Sequence, residues 1–359
     1  MRAIISAGGT GGHIYPALAI INKIKEMEPN SEFLYIGTHD RMENEIIPKH
    51  DIPFKTIEIY GFNKNPFKNF KTIKKFIKAY KDAKIMIEEF KPDVVIGVGG
   101  YVTGPVLYAA SKLGIKTFIH EQNSIPGKCN KFLSKYVDVI GVSMKSSLQA
   151  FPEAKVHFTG NPCSEEALKM KPAKKTDFGL TENKKLVYIV MGSLGSSAIT
   201  EKLKSSIKLF DKKDYEVMFV TGKGSYNDIS ALEIPSNVKI FPYVEAQARI
   251  MKRADLIVTR CGASTLAEII SLKLPSILIP SPYVPNNHQF INGMDFVNKN
   301  AGVMIEEKDL TGELLVNTID KLINDNNKLK EMKENLSDLG IDDSASQIYK
   351  LLKELTSKE

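Results

Sequence analysis

A glycine-rich stretch near the start of the chain, residues 6–16 (SAGGTGGHIYP), constrains the fold more than any other segment. It follows the short apolar run of residues 1–5 and precedes residues 17–27, where Leu18, Ile21 and Ile24 recur at helical spacing. This order predicts a buried strand, a tight turn and a helix with Pro16 in its first turn. The N–H groups at such a helix start bind anions, most often phosphate, and His13 lies at the mouth of the turn.

The rest of the chain alternates apolar strands with amphipathic helices, which predicts parallel sheets covered on both faces. In the first half we expect strands at residues 2–6, 32–36, 56–59, 93–98, 116–119, 137–142 and 155–158. After the turn residues TGNP at 159–162, the pattern starts again with strands at residues 185–190, 216–220, 238–241, 255–258, 276–279 and 302–305. The sequence therefore predicts an α/β fold of two Rossmann-like, doubly wound domains that face a central cleft.

The domain boundaries follow from this repetition. We expect an N-terminal domain at residues 1–161, a C-terminal domain at residues 162–342, and a last helix within residues 343–359 that packs back on the N-terminal domain. A chain of 359 residues is long enough to give each domain its own core.

Cysteine use and hydropathy indicate a cytoplasmic protein. Cys129, Cys163 and Cys261 are scattered and form no Cys-x-x-Cys pair, which argues against a zinc site or a disulfide framework. The apolar run after Arg2 stops at the glycines, so we expect no signal peptide, and no segment has the length of a membrane-spanning helix.

The net charge of +7 lies in the first half of the chain, where residues 1–160 hold 22 basic against 15 acidic residues. The excess is concentrated at residues 64–84, with eight lysines and the single acid Asp82. This pattern predicts an anionic partner, either lipid headgroups or nucleic acid. Aromatic and aliphatic residues alternate with the lysines, and no nucleic-acid-binding motif occurs, so we favour an anionic membrane surface. The residues predicted to face it are Phe67, Lys68, Lys71, Lys74, Lys75 and Lys78.

Several familiar glycine motifs are excluded by spacing. The Gly-x-Gly-x-x-Gly pattern fails in the first turn because Ile14 stands at the place of the last glycine, and Ile36-Gly37-Thr38 lacks the expected acid. No Gly-Lys-Ser/Thr closes a glycine loop, no HExxH or EF-hand spacing occurs, and no Gly-x-Ser-x-Gly elbow is present. Dinucleotide, P-loop and hydrolase chemistry are therefore not supported.

Two further glycine turns follow predicted strands, at residues 97–105 (GVGGYVTGP) and 191–197 (MGSLGSS). Three such turns predict a ligand with more than one phosphate, or two phosphorylated ligands. The amide-rich segment HEQN at residues 120–123 lies at a strand end, where it can bind sugar hydroxyls. Glu268, one turn into a predicted helix, can accept both hydroxyls of a ribose.

The motifs GGTGGH, GVGGYVTGP, HEQN, TGNP, GSLGS, CGASTLAE and NHQFIN occur in this order over nearly the whole chain. In this order and spacing they resemble the MurG family of cell-wall glycosyltransferases, which belongs to glycosyltransferase family 28. The resemblance implies a metal-independent, inverting transferase of the GT-B type that requires no cofactor. Its reaction would move N-acetylglucosamine from UDP-GlcNAc to the C4 hydroxyl of undecaprenyl-diphospho-N-acetylmuramoyl-pentapeptide (lipid I) to give lipid II.

The resemblance also implies a donor site in the second domain. Glu268 would bind the ribose, the turn at residues 192–195 the diphosphate, and Gln289 the GlcNAc hydroxyls. The predicted donor-binding residues are Gly192, Ser193, Gly195, Arg260, Ser264, Glu268, His288, Gln289 and Asn292. Many relatives carry an arginine directly after Gly-Asn-Pro, whereas this chain has Cys163 there, and Arg260 is our candidate to replace it.

The first domain would then hold the acceptor. Its glycine turns would bind the acceptor diphosphate, and the predicted residues are Thr10, Gly11, Gly12, Gly99, Gly100, Tyr101 and Asn123. An inverting transfer needs a base for the acceptor hydroxyl and electrostatic stabilisation of the departing UDP. His13 is the best candidate for the base by residue type and location.

The implied location is the cytoplasmic face of the cell membrane, with attachment to anionic inner-leaflet phospholipid. The resemblance implies roles in cell shape and cell division and partners among other cell-wall synthesis and division proteins. Two alternatives stay open at this point. One is a GT-B transferase with another lipid acceptor, such as a glycolipid synthase, and the other is a protein that binds nucleic acid through residues 64–84.

Overall fold

The computed structural model of the chain forms two compact units, each with its own parallel sheet. The first unit comprises Met1–Cys163 and Asp343–Glu359, and the second comprises Ser164–Asp342. The structure describes residues 1–61, 69–192 and 195–357, and side chains from residue 72 onward in the helix that begins at Asn69.

The strands of the two sheets are short and apolar. Those of the first unit are β1 (Arg2–Ser6), β2 (Glu32–Gly37), β3 (Phe54–Thr56), β4 (Val94–Gly97), β5 (Lys116–Glu121), β6 (Val139–Val142) and β7 (Val156–Phe158). Those of the second unit are β8 (Leu186–Val190), β9 (Glu216–Val220), β10 (Val238–Phe241), β11 (Leu256–Thr259), β12 (Ser276–Leu278) and β13 (Gly302–Met304).

Helices connect these strands. In the first unit they are α1 (Gly11–Met27), α2 (Glu43–Ile46), α3 (Asn69–Phe90), α4 (Thr103–Lys112) and α5 (Lys128–Leu133). They are followed by α6 (Cys163–Lys169), α7 (Ser197–Lys204), α8 (Tyr226–Ser230), α9 (Ala248–Met251), α10 (Ala263–Leu272), α11 (His288–Val297), α12 (Gly312–Ile323), α13 (Asn326–Leu336) and α14 (Ser344–Ser357).

Both sheets are doubly wound. The first has the order β3-β2-β1-β4-β5-β6-β7 and the second the order β10-β9-β8-β11-β12-β13. All described strand pairs are parallel, with Ile4 opposite Leu34 on one side and Val95 on the other. The order reverses direction beside β1 and beside β8, and ligands bind at such switch points, outside the carboxyl ends of the strands. The predicted α/β fold is confirmed.

The sheet of the first unit is covered on both faces. Alternate residues of β1 point to opposite sides, so Ile4 packs with α3 and α4 while Ile5 packs with α1. Helix α14 belongs to the second of these layers, where Ile348 and Leu352 are fully buried. Burial on both faces explains why the strands read as continuous apolar runs in the sequence.

Two predicted boundaries are wrong. The third strand is Phe54–Thr56, paired with residues 35–37, and not residues 56–59. Ile57 and Ile59 are buried as predicted, but they pack in the core of the unit beyond the end of the strand. The first helix begins at Gly11, so Pro16 lies in its second turn and His13 in its first. The glycines at the helix start concealed this boundary, because glycine disfavours helix by propensity alone.

Candidate active site

In the first unit, two glycine turns meet at the switch point between β1 and β4. The N–H of Gly8 donates to the carbonyl of Gly99 at 3.1 Å. Gly100 has φ +92°, and a Cβ there would lie 2.4 Å from the carbonyl oxygen of Gly8. Only glycine permits this backbone conformation and this close approach. The two glycine motifs, about 90 residues apart in the sequence, therefore form one pair of packed turns.

His13 lies against this pair of turns. Its Nδ1 is 2.9 Å from the carbonyl oxygen of Gly8, a group that can only accept a hydrogen bond. Nδ1 therefore carries the proton, and the lone pair of the neutral ring lies on Nε2. A Cβ on Gly99 would lie 2.8 Å from this Nε2, so the ring occupies the space that a side chain would need. The geometry leaves Nε2 as the atom that can accept a proton.

The start of α1 offers backbone donors beside His13. Thr10 is the N-cap and its side chain makes no capping hydrogen bond, and the first turn contains no acidic residue. The N–H groups of Gly11 and Gly12 have no hydrogen-bond acceptor among the described residues. Unpaired N–H groups and the helix dipole together favour an anion at this position.

The HEQN segment forms a buried frame behind these turns. His120 is fully buried, and burial lowers its pKa to about 4, so it is neutral at physiological pH. Its Nε2 donates to the carbonyl of Gly160, while Gln122 donates to the carbonyl of Val98 next to the second glycine turn. Glu121 accepts hydrogen bonds from the backbone of Asn123 and of residue 127. These contacts give His120 and Glu121 a structural role.

The remaining predicted acceptor residues lie at the same end of the sheet. Asn123 is half-buried, and its side chain donates to Glu121 at 3.2 Å. Tyr101 is 60% exposed, and its ring lies beside Gly61. Their contact with an acceptor stays a prediction.

The second unit repeats the arrangement at β8 and β11. Ser193 lies outside the described residues, but the flanking glycines are described and both have positive φ, 80° at Gly192 and 73° at Gly195. A Cβ on Gly195 would lie 2.8 Å from the carbonyl oxygen of Thr221, which requires glycine there. Ser196 caps α7 by accepting from the N–H of Ile199.

Arg260 reaches this turn from the end of β11. Its guanidinium donates to the hydroxyl of Ser196 at 3.1 Å and forms an ion pair with Glu307 at 2.7 Å. The side chains of Arg260 and Glu307 are only 10% and 6% exposed. The carboxylate of Glu307 thus offsets the positive charge of Arg260 beside the predicted diphosphate site. Glu307 is not predictable from the sequence, since one acid after a strand carries no distinctive pattern.

Glu268 lies one turn into α10 and has an unusual environment. Burial raises its pKa to about 7, and a hydrogen bond from Gln247 opposes this shift. Its Oε2 is buried with no hydrogen-bond partner among the described residues, and the same holds for the hydroxyl of Ser264 one turn earlier. Buried polar atoms are rarely left unpaired. Two such atoms at one helix start indicate a place for a hydroxyl-bearing ligand.

The predicted sugar-binding residues lie around the start of α11. Gln289 accepts a hydrogen bond from the N–H of Ser281 at 2.8 Å. Nδ1 of His288 lies 2.8 Å from the carbonyl oxygen of Pro285. Asn292 is fully buried, and its amide donates to the carbonyl of Cys261 at 3.2 Å. Asn292 therefore holds the segment before α10, and its direct contact with a sugar stays a prediction.

The described part of the predicted membrane face lies on α3. Phe67 and Lys68 lie outside the described residues, as does the side chain of Lys71. Ile73 and Ile77 are 48% and 50% exposed, while the neighbouring Phe76 packs on the core. Lys74 and Lys78 are exposed, whereas Lys75 pairs with Glu58 and lies 4.1 Å from the centre of the Tyr60 ring. The structure therefore adds two exposed isoleucines to the predicted face and shows Lys75 bound to its own unit.

Within the described ranges, no group of three or more His, Cys, Asp or Glu side chains is placed to hold a metal ion. A search of the same residues for a helix long and apolar enough to cross a bilayer finds none.

Two doubly wound sheets in one chain, each with a glycine turn at its switch point, define the class of protein by its fold, which is the GT-B architecture. Residues 3–142 match the glycosyltransferase family 28 N-terminal domain, and residues 186–351 match the glycosyltransferase family 28 C-terminal domain. The chain belongs to glycosyltransferase family 28. The resemblance predicted from the ordered motifs is confirmed.

Curated relatives and solved structures agree with this assignment. The UDP-N-acetylglucosamine--N-acetylmuramyl-(pentapeptide) pyrophosphoryl-undecaprenol N-acetylglucosamine transferase of Bacillus cytotoxicus is 46% identical over 366 residues, covering 100% of both chains. The crystal structure of Acinetobacter baumannii MurG matches with TM-score 0.78 and 27% identity, covering 98% of this chain and 99% of that one. An S. aureus MnaA–UDP structure matches in fold, with TM-score 0.70 and 15% identity over 99% and 97% of the chains.

Proposed function

We propose that the chain is an inverting glycosyltransferase that moves N-acetylglucosamine from UDP-GlcNAc to the C4 hydroxyl of lipid I, giving lipid II for peptidoglycan synthesis. The observation that carries this proposal is the 46% identity to transferases of that name across the full length of both chains. It favours this acceptor over another glycolipid, because the identity covers the first unit as well as the second.

The donor binds the second unit. The ribose hydroxyls donate to Glu268, whose Oε2 has no other partner among the described residues, and the hydroxyl of Ser264 contacts the diphosphate at the start of α10. Arg260 and the glycine turn at residues 192–195 complete the diphosphate site. Gln289 and His288 bind the GlcNAc hydroxyls, with Asn292 keeping the neighbouring backbone in place.

The acceptor binds the first unit. Its diphosphate contacts the N–H groups of Gly11 and Gly12 and lies beside the turn of Gly99 and Gly100. Nε2 of His13 takes the proton from the C4 hydroxyl as its oxygen attacks C1 of the donor sugar. The C1–oxygen bond to UDP breaks as the new glycosidic bond forms on the opposite face, which inverts the configuration at C1.

The departing UDP carries the charge that develops in the transition state. The helix start of α10 stabilises this charge without rearranging, as a preorganised dipole does, and the sequence predicts a further contribution from the turn after β8. We propose that the reaction requires no metal ion, so a chelator such as EDTA leaves the rate unchanged.

Attachment to the cytoplasmic membrane surface brings the enzyme to its lipid-linked acceptor. The exposed isoleucines of α3 insert among the headgroups, while Lys74 and Lys78 interact with anionic phospholipid. Phe67, Lys68 and Lys71 belong to this proposal from the sequence alone. Each lysine near such a surface contributes about 1 kcal/mol. We also propose that the enzyme associates with other cell-wall synthesis and division proteins at the same membrane. We propose no nucleic-acid partner.

The experiment is a UDP-release assay with UDP-GlcNAc and a choice of acceptors. We expect release of UDP with lipid I and a product that carries one added N-acetylglucosamine in β linkage. Diacylglycerol in the same detergent serves as the alternative acceptor. Turnover with diacylglycerol and none with lipid I would replace this proposal by a glycolipid synthase.

A further inference from the structure

A buried carboxylate lies directly beneath the first glycine turn. Glu43 is fully buried, although it belongs to the short helix α2 and follows the turn by more than 30 residues. Its Oε1 accepts hydrogen bonds from both the N–H and the hydroxyl of Thr38, at 3.1 and 2.7 Å. Its Oε2 accepts from the N–H of Gly9 at 3.0 Å. Three donors thus hold this carboxylate in one orientation.

The contact fixes the turn sterically as well as by hydrogen bonding. A Cβ on Gly8 would lie 2.3 Å from Oε1 of Glu43, and a Cβ on Gly37 would lie 2.7 Å from its Cγ. Tyr35 donates from its buried hydroxyl to the carbonyl of Ala7 at 3.1 Å, just before the turn. The backbone of residues 7–9 is therefore held from below by side chains of the neighbouring strand β2 and of α2.

The same backbone holds His13 from above. The carbonyl of Gly8 accepts a hydrogen bond from Nδ1 of His13, and the N–H of Gly8 donates to the carbonyl of Gly99. Because Gly8 and Gly9 share a peptide group, a rotation that releases the N–H of Gly9 also turns the carbonyl of Gly8 away from the imidazole. Glu43 and His13 thus contact the two ends of one rigid peptide plane.

We propose that Glu43 is a positioning residue for the transfer reaction, which orients the Gly8–Gly9 peptide and so keeps the His13 ring protonated on Nδ1 with Nε2 toward the acceptor. This inference rests on the proposed function, in which His13 is the base. It also assigns the N–H of Gly9 to Glu43, which leaves the diphosphate to the N–H groups further along, at Gly11 and Gly12.

The substitution Glu43→Gln tests this arrangement with little change in volume. A glutamine has one acceptor oxygen, so either Gly9 or Thr38 must present its backbone N–H to an amide NH₂ group. We expect kcat to fall by about 100-fold, as for a small displacement of a catalytic group. The KM for UDP-GlcNAc stays within about twofold, because the donor binds the other unit. Glu45→Gln, an exposed neighbour on α2, is the matched control and leaves kcat unchanged.

A second measurement reads the positioning without any turnover. The ¹⁵N chemical shifts of the imidazole, assigned with the variant His13→Asn, report which ring nitrogen carries the proton. We expect the Nδ1-protonated form in the native chain and in Glu45→Gln, and a mixture of tautomers in Glu43→Gln. Thr38→Val, which removes one of the donors to Glu43, has a smaller effect in the same direction.

The outcomes distinguish a failure of the proposed function from a failure of the positioning role of Glu43. Failure of the native chain to glycosylate lipid I, with a tautomer change in Glu43→Gln, would sink the proposed function and leave the positioning role standing. A Glu43→Gln variant with native tautomer and native kcat overturns the positioning role. So does a variant that loses kcat only in proportion to a lowered melting temperature while its His13 spectrum stays native.

Discussion

Nδ1 of His13, in the first turn of α1, lies 2.9 Å from the carbonyl oxygen of Gly8, five residues earlier in the chain. A backbone carbonyl only accepts hydrogen bonds, so this contact determines the tautomer of the ring and leaves Nε2 as its basic atom. The carbonyl of Gly8 thus prepares a proton acceptor at the end of the sheet where ligands of doubly wound folds bind.

We expect His13→Ala to lower kcat by about 100-fold or more, because general-base catalysis contributes about that much. The KM for UDP-GlcNAc should change little. His157→Ala is a suitable control, since His157 is exposed on β7 at the edge of the same sheet. Steady-state kinetics with lipid I measure the effect, and a loss below tenfold would reduce His13 to an orienting role.

Glu268→Ala should weaken donor binding through the ribose. Losing hydrogen bonds to a charged acceptor costs about 1.5–3 kcal/mol each, so we expect KM for UDP-GlcNAc to rise by about 10-fold or more. The check is a double-mutant cycle that compares UDP with 2′-deoxy-UDP. The native chain should bind 2′-deoxy-UDP more weakly than UDP, whereas Glu268→Ala should bind the two nucleotides equally well. Glu313→Ala, at the start of α12, serves as the control. If the effects of Glu268→Ala and of the missing 2′-hydroxyl on the binding free energy are additive, Glu268 does not bind the ribose.

The raised pKa of Glu268 makes donor affinity dependent on pH. In the ligand-free chain this carboxyl has a pKa of about 7, because it is buried. Ribose hydroxyls donate most strongly to its ionised form, so calorimetry should show tighter binding of UDP-GlcNAc as pH rises from about 5.5 to about 8. Glu268→Gln should show a flat profile over the same interval.

The same shift affects folding with the opposite sign. A carboxyl whose pKa is raised from 4.5 unfolded to about 7 folded is favoured as the neutral acid in the native state. Relative to Glu268→Gln, the free energy of unfolding of the native chain should therefore fall as pH rises between these two values, and stay low above them. A difference independent of pH would show that the carboxyl is not buried in solution.

Glu28 should make the attachment of α14 sensitive to acid. Its carboxylate accepts from the amino terminus of Met1, from Lys353 and from Tyr349, and these bonds lower its pKa from 4.5 to about 2. A lowered pKa gives stability that is present above the unfolded value and is lost as pH falls through the folded value. Glu28→Gln should thus lower the free energy of unfolding at neutral pH, with the difference shrinking between these two values.

Urea denaturation of the full chain at several pH values measures this effect. Glu331→Gln, which removes an exposed pair with Lys328 on α13, is the control and should change stability by less than about 1 kcal/mol. An equal effect of Glu28→Gln at neutral and acidic pH would contradict the assignment.

The exposed isoleucines of α3 should determine membrane attachment. The double substitution Ile73→Glu and Ile77→Glu removes apolar surface and adds negative charge, so binding to vesicles with anionic phospholipid should fall at least about 10-fold. Ile85→Glu, an equally exposed isoleucine further along α3, is the matched control. Lys75→Gln should have a small effect, since Lys75 already pairs with Glu58. Vesicle sedimentation measures all three, and equal losses for the double variant and Ile85→Glu would move the contact away from residues 73–77.

Local pattern was sufficient for most of the fold. Twelve of the thirteen strands that the described residues form follow from short apolar runs between turn residues, because parallel strands covered on both faces carry apolar residues at nearly every position. The exception was β3, where Ile57 and Ile59 gave the alternation of a strand but are buried as irregular chain. Periodicity reports burial, and it does not by itself report backbone pairing.

The sequence by itself determined the fold class, the family and the candidate base, because glycine turns and their order along the chain are local features. Tertiary structure alone decided which atom of His13 is basic, which of the predicted ligands are buried supports, and which unpredicted acids complete the site. Glu43 contacts a turn more than 30 residues earlier, and Glu307 an arginine 47 residues earlier. Such pairs arise from strand order in the folded sheet, where residues distant in the chain meet at one switch point, and no local pattern carries that information.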